Sequence, residues 1–201
     1  MKIICIGRNY AEHIRELGNE KPDKPVIFLK PSTALLQADK PFYHPDWSSD
    51  IHYECELVLR IGKTGKYIDS EFALRHIDAI TVGIDFTARD LQNEQKIKGL
   101  PWEIAKAFDQ SAVVGRFIPF TPPADPIHFS LKKNNEWVQQ GDTSLMIFSF
   151  QETMAYISRF FTLQTGDLIF TGTPSGVGPI KPGDKLEGYL EGECLFHTEI
   201  R

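Results

Sequence analysis

A chain of 201 residues, 41% of them hydrophobic, is long enough for one domain with a substantial core. Its formal net charge is -5 and its sequence pI about 5.7, with lysines and arginines scattered rather than gathered into a stripe. That balance excludes the usual nucleic-acid binder and argues against adhesion to anionic membranes.

The apolar start, Met1 to Gly7, is too short for a signal peptide, and no stretch approaches a transmembrane span. Three cysteines, Cys5, Cys55 and Cys194, are widely spaced in apolar runs and fit neither a zinc spacing nor a disulfide framework. Free thiols suit a reducing compartment, so a soluble cytoplasmic protein is the expectation.

In chain order, residues 2–6 read as a strand. Asn9 is a candidate cap for a helix from Tyr10 to Leu17, with Glu12 in capping-box position and Gly18 as the stop. Asn19 to Pro25 reads as a loop and Val26 to Lys30 as a short strand ended by Pro31. Between His52 and Ile61 the chain alternates: Tyr53, Cys55, Leu57, Leu59 and Ile61 form one set, and His52, Glu54, Glu56 and Arg60 fall on the other. That is the period of a half-buried strand. Ser70 to His76 suggests a helix, Ala79 to Asp85 a strand, and Thr87 a cap for a helical segment to about Lys98, broken by Gly99 and Pro101.

The second half is richer in strands. Ile127 to Lys133 and Glu136 to Gln140 flank Asn134-Asn135, a hairpin signal. Ser149 and Glu152 form a capping box for a helix to about Phe161, with Met154, Ile157, Phe160 and Phe161 as its apolar face. Asp167 to Thr171 is a strand leading into a loop dense in small residues, Gly172 to Pro179, and the C-terminus reads as a hairpin turning near Glu191-Gly192. No repeat, low-complexity segment or linker divides the chain. Many short strands with few helices predict a curled, mainly β architecture.

Several groups carry chemistry. Glu54 and Glu56 share one face of their strand, and like charges that close raise each other's pKa unless a cation lies between them. A charged strand face is usually just solvated. Asp85 argues against that here, because it ends the apolar run Ile80 to Ile84, where an acid has no structural task. Three carboxylates select a hard cation, magnesium or manganese, over zinc. His13 and Glu16 are three apart on the first helix, as an ordinary surface pair or as a dyad in which Glu16 orients an imidazole that takes a proton from water. Lys106 lies in a mostly apolar run, either snorkelling or placed to meet an anion. The turn Thr171-Gly172-Thr173-Pro174 offers backbone N–H groups suited to a carboxylate or phosphate, without the lysine and helix of a P-loop.

Together these stretches resemble the fumarylacetoacetate hydrolase family. The resemblance rests on Gly7-Arg8-Asn9-Tyr10-Ala11-Glu12-His13, Phe28-Leu29-Lys30-Pro31-Ser32, His52 to Leu57, Gly83 to Asp90, Gly99-Leu100-Pro101-Trp102 through Lys106, and Thr171 to Gly178, in the family's order along nearly the whole chain. The length and the Gly-Leu-Pro-Trp run resemble its acylpyruvate hydrolase and oxaloacetate decarboxylase branch most.

The resemblance implies an α+β, mainly β fold, a mixed β-roll or barrel with a few short helices. It further implies one catalytic domain over residues 1–201, residues 10–25 as a lid, and a homodimer. By motif match, Glu54, Glu56 and Asp85 are the expected ligands of Mg2+, with Mn2+ as the alternative. His13, Glu16 and Lys106 are the expected catalytic groups. Arg89, Gln92, Thr173 and Gly172 are expected to bind substrate. One departure is that Ile6-Gly7-Arg8-Asn9 lacks the additional carboxylate that a longer member of the family adds before the dyad histidine.

The activity implied is cleavage of C–C bonds in small 2-oxo acids through a metal-stabilised enolate: hydrolysis of acylpyruvates, decarboxylation of oxaloacetate, or keto–enol tautomerisation. The alternative is an isomerase or decarboxylase of ring-cleavage diacids, of the 2-hydroxyhepta-2,4-diene-1,7-dioate type. A silent binding module would lack one of these groups, and all are present. No nucleic-acid or membrane partner is expected.

Overall fold

The computed structural model describes residues 1–18, 20–37, 39–122 and 126–201. Residue 19, part of the expected loop and lid, lies outside them. The architecture is mainly β, as expected, with a curled main sheet of eight strands and few helices. Across that sheet the order is Val26–Lys30, Ile3–Gly7, Leu168–Phe170, Cys55–Ile61, Ile77–Asp85, Ala112–Val114 and Leu35–Gln37, with Ile118–Pro119 added to Ile77–Asp85. Two pairings are parallel, Ile3–Gly7 with Leu168–Phe170 and Leu35–Gln37 with Ala112–Val114, so the sheet is mixed.

A four-stranded antiparallel sheet is built from two hairpins, His128–Lys133 with Glu136–Asp142 and Lys185–Leu190 with Glu193–Glu199. Both turns have two successive residues at positive φ, Asn134 and Asn135 (52° and 70°) and Glu191 and Gly192 (48° and 81°). That handedness matches the twist of the flanking strands. Three short strands, Gly178–Pro179, Ile51–Tyr53 and Thr87–Ala88, form a third sheet beside the carboxylate-bearing segment.

The helix Phe150–Phe160 carries the expected capping box at Ser149 and Glu152, a device that contributes about 1 kcal/mol. Its buried stripe is Phe150, Thr153, Met154 and Ile157, whereas Phe160 is 56% exposed and packs edge-on against Tyr156. The apolar face therefore starts one turn earlier than the sequence suggests.

Two cap expectations are corrected. Tyr10, not Asn9, caps the first helix, Ala11–Glu16, and no side chain bonds its end. The Asn9 amide instead donates to the carbonyls of Phe148 and Thr171 and accepts from Phe148 N–H, joining three distant segments. Likewise Ala88, not Thr87, precedes the helix Arg89–Lys98, because Thr87 is drawn into a short strand and toward Lys106. Gly99, at φ 64°, ends that helix as expected.

The strand Cys55–Ile61 is also more enclosed than its alternation implies. Cys55, Leu57, Leu59 and Ile61 join the larger core cluster, while Val58 on the opposite face joins a second one with Ile3, Cys5 and Phe170. Phe28, Leu35 and Phe117 pack over that second cluster. Only Arg60 in the strand reaches partial exposure, paired with Asp78. A strand with both faces covered carries its carboxylates into the interior, and that decides the character of the site.

Candidate active site

Strand register brings the three acids together. Cys55 lies across from Ile84 and Glu56 across from Gly83 in the antiparallel pair. The next step puts Glu54, in the one-residue break between Ile51–Tyr53 and Cys55–Ile61, opposite Asp85, whose N–H donates to the Glu54 carbonyl at 2.8 Å. On the other side Phe170 pairs with Val58, and Thr171 N–H bonds the Leu57 carbonyl at 3.1 Å. The chain then turns at Gly172, φ 103°, and its N–H meets the Glu56 carboxylate at 2.7 Å. All three acids are buried, and one oxygen from each lies within 4.8 Å of the others.

Three buried cations face them. Lys106 Nζ donates to Glu54 Oε2 at 2.7 Å, Asp85 Oδ2 at 2.8 Å and Thr87 Oγ1 at 2.6 Å. Arg89 donates to Glu54 Oε1 at 2.6 Å and to Gln92 Oε1 at 2.7 Å. Lys30 Nζ lies 2.7 Å from Asp85 Oδ1 and donates to Ser111 Oγ and to the backbone carbonyls of Lys106 and Ser111. The Lys30 contact is an ion pair without hydrogen-bond direction, so Asp85 Oδ1 is left with no directed donor.

The acids respond differently to this setting. Burial alone would raise the Glu54 carboxyl, but Lys106 and Arg89 hold it well below the usual carboxylate range. Glu56 goes the other way: burial, then Asp85 and Glu54, push it well up against the donation from Gly172. Burial would lower Lys106, yet Asp85 and Glu54 raise it, so it stays an ammonium. A cluster of hard oxygens in which one acid resists ionising and one buried oxygen lacks a donor fits a divalent oxygen-seeking cation, Mg2+ or Mn2+.

The helix Ala11–Glu16 sets the dyad over this cluster. His13 Nδ1 and Glu16 Oε2 are 3.1 Å apart, and Glu16 Oε1 accepts from Gly176 N–H at 3.0 Å. That ties the helix to the small-residue loop and leaves His13 Nε2 as the ring nitrogen without a hydrogen-bond partner among the described residues. Thr173 Oγ1 accepts from Gln139 Nε2 at 2.8 Å, while Gln139 Oε1 accepts from Cys55 N–H at 2.9 Å. His13, Thr173, Arg89, Gln92 and Lys106 line one cavity with the three acids. The remaining expected residue, Gly172, is placed against Glu56, so its N–H is already engaged.

Sequence reasoning passed over Lys30 and Gln139. Lys30 had a signal of the same kind as Asp85, a charge closing the apolar run Val26 to Leu29. Gln139 had none, because its partners lie 84 and 34 residues away.

The family model described as "Fumarylacetoacetate (FAA) hydrolase C-terminal" matches residues 2–198. A mouse protein named oxaloacetate tautomerase FAHD1, mitochondrial, is 44% identical over 201 residues, covering 99% of this chain and 91% of that protein. The crystal structure of fumarylpyruvate hydrolase from Pseudomonas aeruginosa with Mn2+ and pyruvate is similar at a TM-score of 0.94 and 39% identity, covering 100% of this chain and 89% of that one. A 2-hydroxyhepta-2,4-diene-1,7-dioate isomerase from Mycobacterium marinum gives 0.87 and 36%, covering 99% and 73%.

Proposed function

This chain belongs to the fumarylacetoacetate hydrolase family of enzymes, and from that premise we propose that it cleaves C–C bonds of small 2-oxo acids with the help of a divalent cation. The observation that carries the reading is the buried Glu54–Glu56–Asp85 cluster beneath the His13–Glu16 dyad. Those three acids would hold Mg2+, or Mn2+ in its place. The chemistry such an ion supplies is polarisation of a 2-oxo carbonyl and a sink for the negative charge of an enolate.

The chain's own residues supply the rest. His13, oriented by Glu16, takes a proton from water at Nε2, and that water attacks the distal carbonyl of an acylpyruvate. Lys106 stabilises developing negative charge on oxygen. Thr173 and the neighbouring loop hold the substrate carboxylate, with Gln92 presented beside it by Arg89. The same residues serve decarboxylation of oxaloacetate or keto–enol tautomerisation, in which no water attacks. Isomerisation of ring-cleavage diacids is the second reading, favoured by the likeness to the isomerase structure.

The cavity at the site is narrow and partly open to solvent, with about 30 Å3 of accessible space. Residues 10–25 serve as the lid in this reading. The chain acts as one domain and as a homodimer, the pairing covering an apolar groove of about 940 Å3 that includes Leu29, Trp47 and Ile104. No helix among the described residues is long and apolar enough to cross a membrane, and the free Cys5, Cys55 and Cys194 fit the reducing cytoplasm.

A panel of acetylpyruvate, oxaloacetate and a ring-cleavage diacid, assayed with Mg2+ and with EDTA, tests the reading. Turnover of at least one substrate that EDTA abolishes is expected. No turnover of any, or turnover indifferent to EDTA, refutes it.

A further inference from the structure

One buried side chain of the four-stranded sheet reaches out of that sheet toward the site. Along Glu136–Asp142 the inward positions are Gln139 and Gly141, across from Leu131 and Phe129. The two-residue period asks for an apolar residue at 139, yet a glutamine stands there, 1% exposed. Burying an amide is costly unless its groups are bonded, and here the oxygen and both hydrogens are. Oε1 accepts from Cys55 N–H at 2.9 Å. Nε2 donates to Thr173 Oγ1 at 2.8 Å and to the Pro174 carbonyl at 2.9 Å. None of these partners belongs to the sheet that carries Gln139. The loop is also pressed onto this strand: at Gly176, φ 95°, a Cβ would lie 2.3 Å from the Val138 carbonyl oxygen.

The three bonds fix a direction. Cys55 N–H can only donate, so the amide oxygen faces it and the amide nitrogen faces Thr173. Thr173 Oγ1 therefore accepts, and its own hydrogen is directed elsewhere. Its acceptor among the described residues is the Pro174 carbonyl, at 3.5 Å, which already takes a hydrogen from Gln139. Thr173 is 3% exposed and lines the cavity that holds the three acids, whereas Gln139 does not line it. The hydroxyl hydrogen is thus available to whatever occupies that cavity.

We propose that Gln139 is a positioning residue. It sets the Thr173 hydroxyl as a donor to the substrate carboxylate, and its other end pins the backbone between Glu54 and Glu56. The inference rests on the 2-oxo acid reading above and makes substrate affinity depend on a side chain behind the cavity wall. The carboxylate is present before the reaction and at the transition state alike, so losing its donor changes KM and leaves kcat in place.

The test uses the full chain with Mg2+ and compares wild type with Gln139→Met, Thr173→Val and the double variant. The readouts are KM and kcat for whichever of acetylpyruvate and oxaloacetate is turned over faster, and calorimetric binding of pyruvate. Each single variant is expected to raise KM and weaken pyruvate binding at least about tenfold, with kcat held within about threefold. The double variant should be within about twofold of the weaker single one, because the hydroxyl that Gln139 directs is already gone. Gln139→Glu keeps the shape and the acceptor for Cys55 N–H but replaces the amide hydrogens with a carboxylate. It should weaken pyruvate binding at least about tenfold as well, and it carries the test where Gln139→Met does not fold. Unchanged pyruvate binding in a folded Gln139 variant overturns the proposal. So do losses that multiply in the double variant, or a fall in kcat at constant KM. A wild type that binds no pyruvate and turns over neither substrate refutes the underlying reading, and the role of Gln139 falls with it.

Discussion

Replacing Lys106 with methionine separates the two states of the acid cluster. In the metal-free chain Lys106 is 3% exposed and satisfies Glu54 Oε2, Asp85 Oδ2 and Thr87 Oγ1 together. Methionine fills much of the volume but removes the charge and all three donors. Breaking a buried ion pair from one side costs about 3–5 kcal/mol. Glu54 keeps Arg89 and Asp85 keeps Lys30, so the lower end applies, about 3 kcal/mol. For a chain of this length that corresponds to a melting temperature lower by about 6–12 °C. A divalent ion meets acids freed of Lys106 in the variant and acids already paired in wild type. Saturating Mg2+ should therefore close at least about half of the gap, beyond the roughly 2.7 kcal/mol that any site gains at a hundredfold excess over Kd. Calorimetric melts of both proteins in EDTA and in Mg2+ give the four temperatures needed. A metal-free variant melting within about 2 °C of wild type, or a gap that Mg2+ leaves unchanged, would refute the reasoning.

His13→Ala should reduce acylpyruvate hydrolysis by about 100- to 10,000-fold while calorimetry finds Mg2+ binding retained; hydrolysis at the wild-type rate removes the dyad from the mechanism. Gly172→Ala would put a Cβ 2.7 Å from that of Asn9 at φ 103°, so stability should fall by about 1–3 kcal/mol and Mg2+ affinity with it, since the same turn holds Glu56. Unchanged melting and Mg2+ affinity contradict that. Asp167→Asn probes pH. Burial alone would raise this carboxyl, but Lys2 and the N–H groups of Gln164 and Lys2 hold it below its ordinary 3.8. A depressed folded pKa contributes stability that is present above 3.8 and lost as pH falls through the folded value. The variant should thus lose about 1.5–3 kcal/mol at pH 7 and less as pH falls below 3.8, read by denaturant unfolding at pH 7 and pH 3. An equal deficit at both pH values would show that the charge plays no part.

Local chemistry made much of this protein legible before its structure. The Asn134-Asn135 turn, the Ser149–Glu152 capping box and the stop at Gly99 each depend on a few neighbouring residues, and each formed where expected. The identity of the three acids was legible for a related reason: Glu54 and Glu56 follow a two-residue period, and Asp85 interrupts an apolar one.

Tertiary structure alone decided what surrounds those acids. Whether the polar side of Cys55–Ile61 meets water or a second core depends on Phe28, Leu35 and Phe117, which no pattern within the strand reports. Asn9 had a local use as a helix cap, and contacts to segments 139 and 162 residues away claimed its amide instead. Lys30 and Lys106 reach the same carboxylate from segments 55 and 21 residues distant, as strand register and the helix at Glu103–Lys106 dictate. Periodicity says which side of an element a residue occupies. Charge, burial and reactivity at that position are set by what the rest of the chain packs against it.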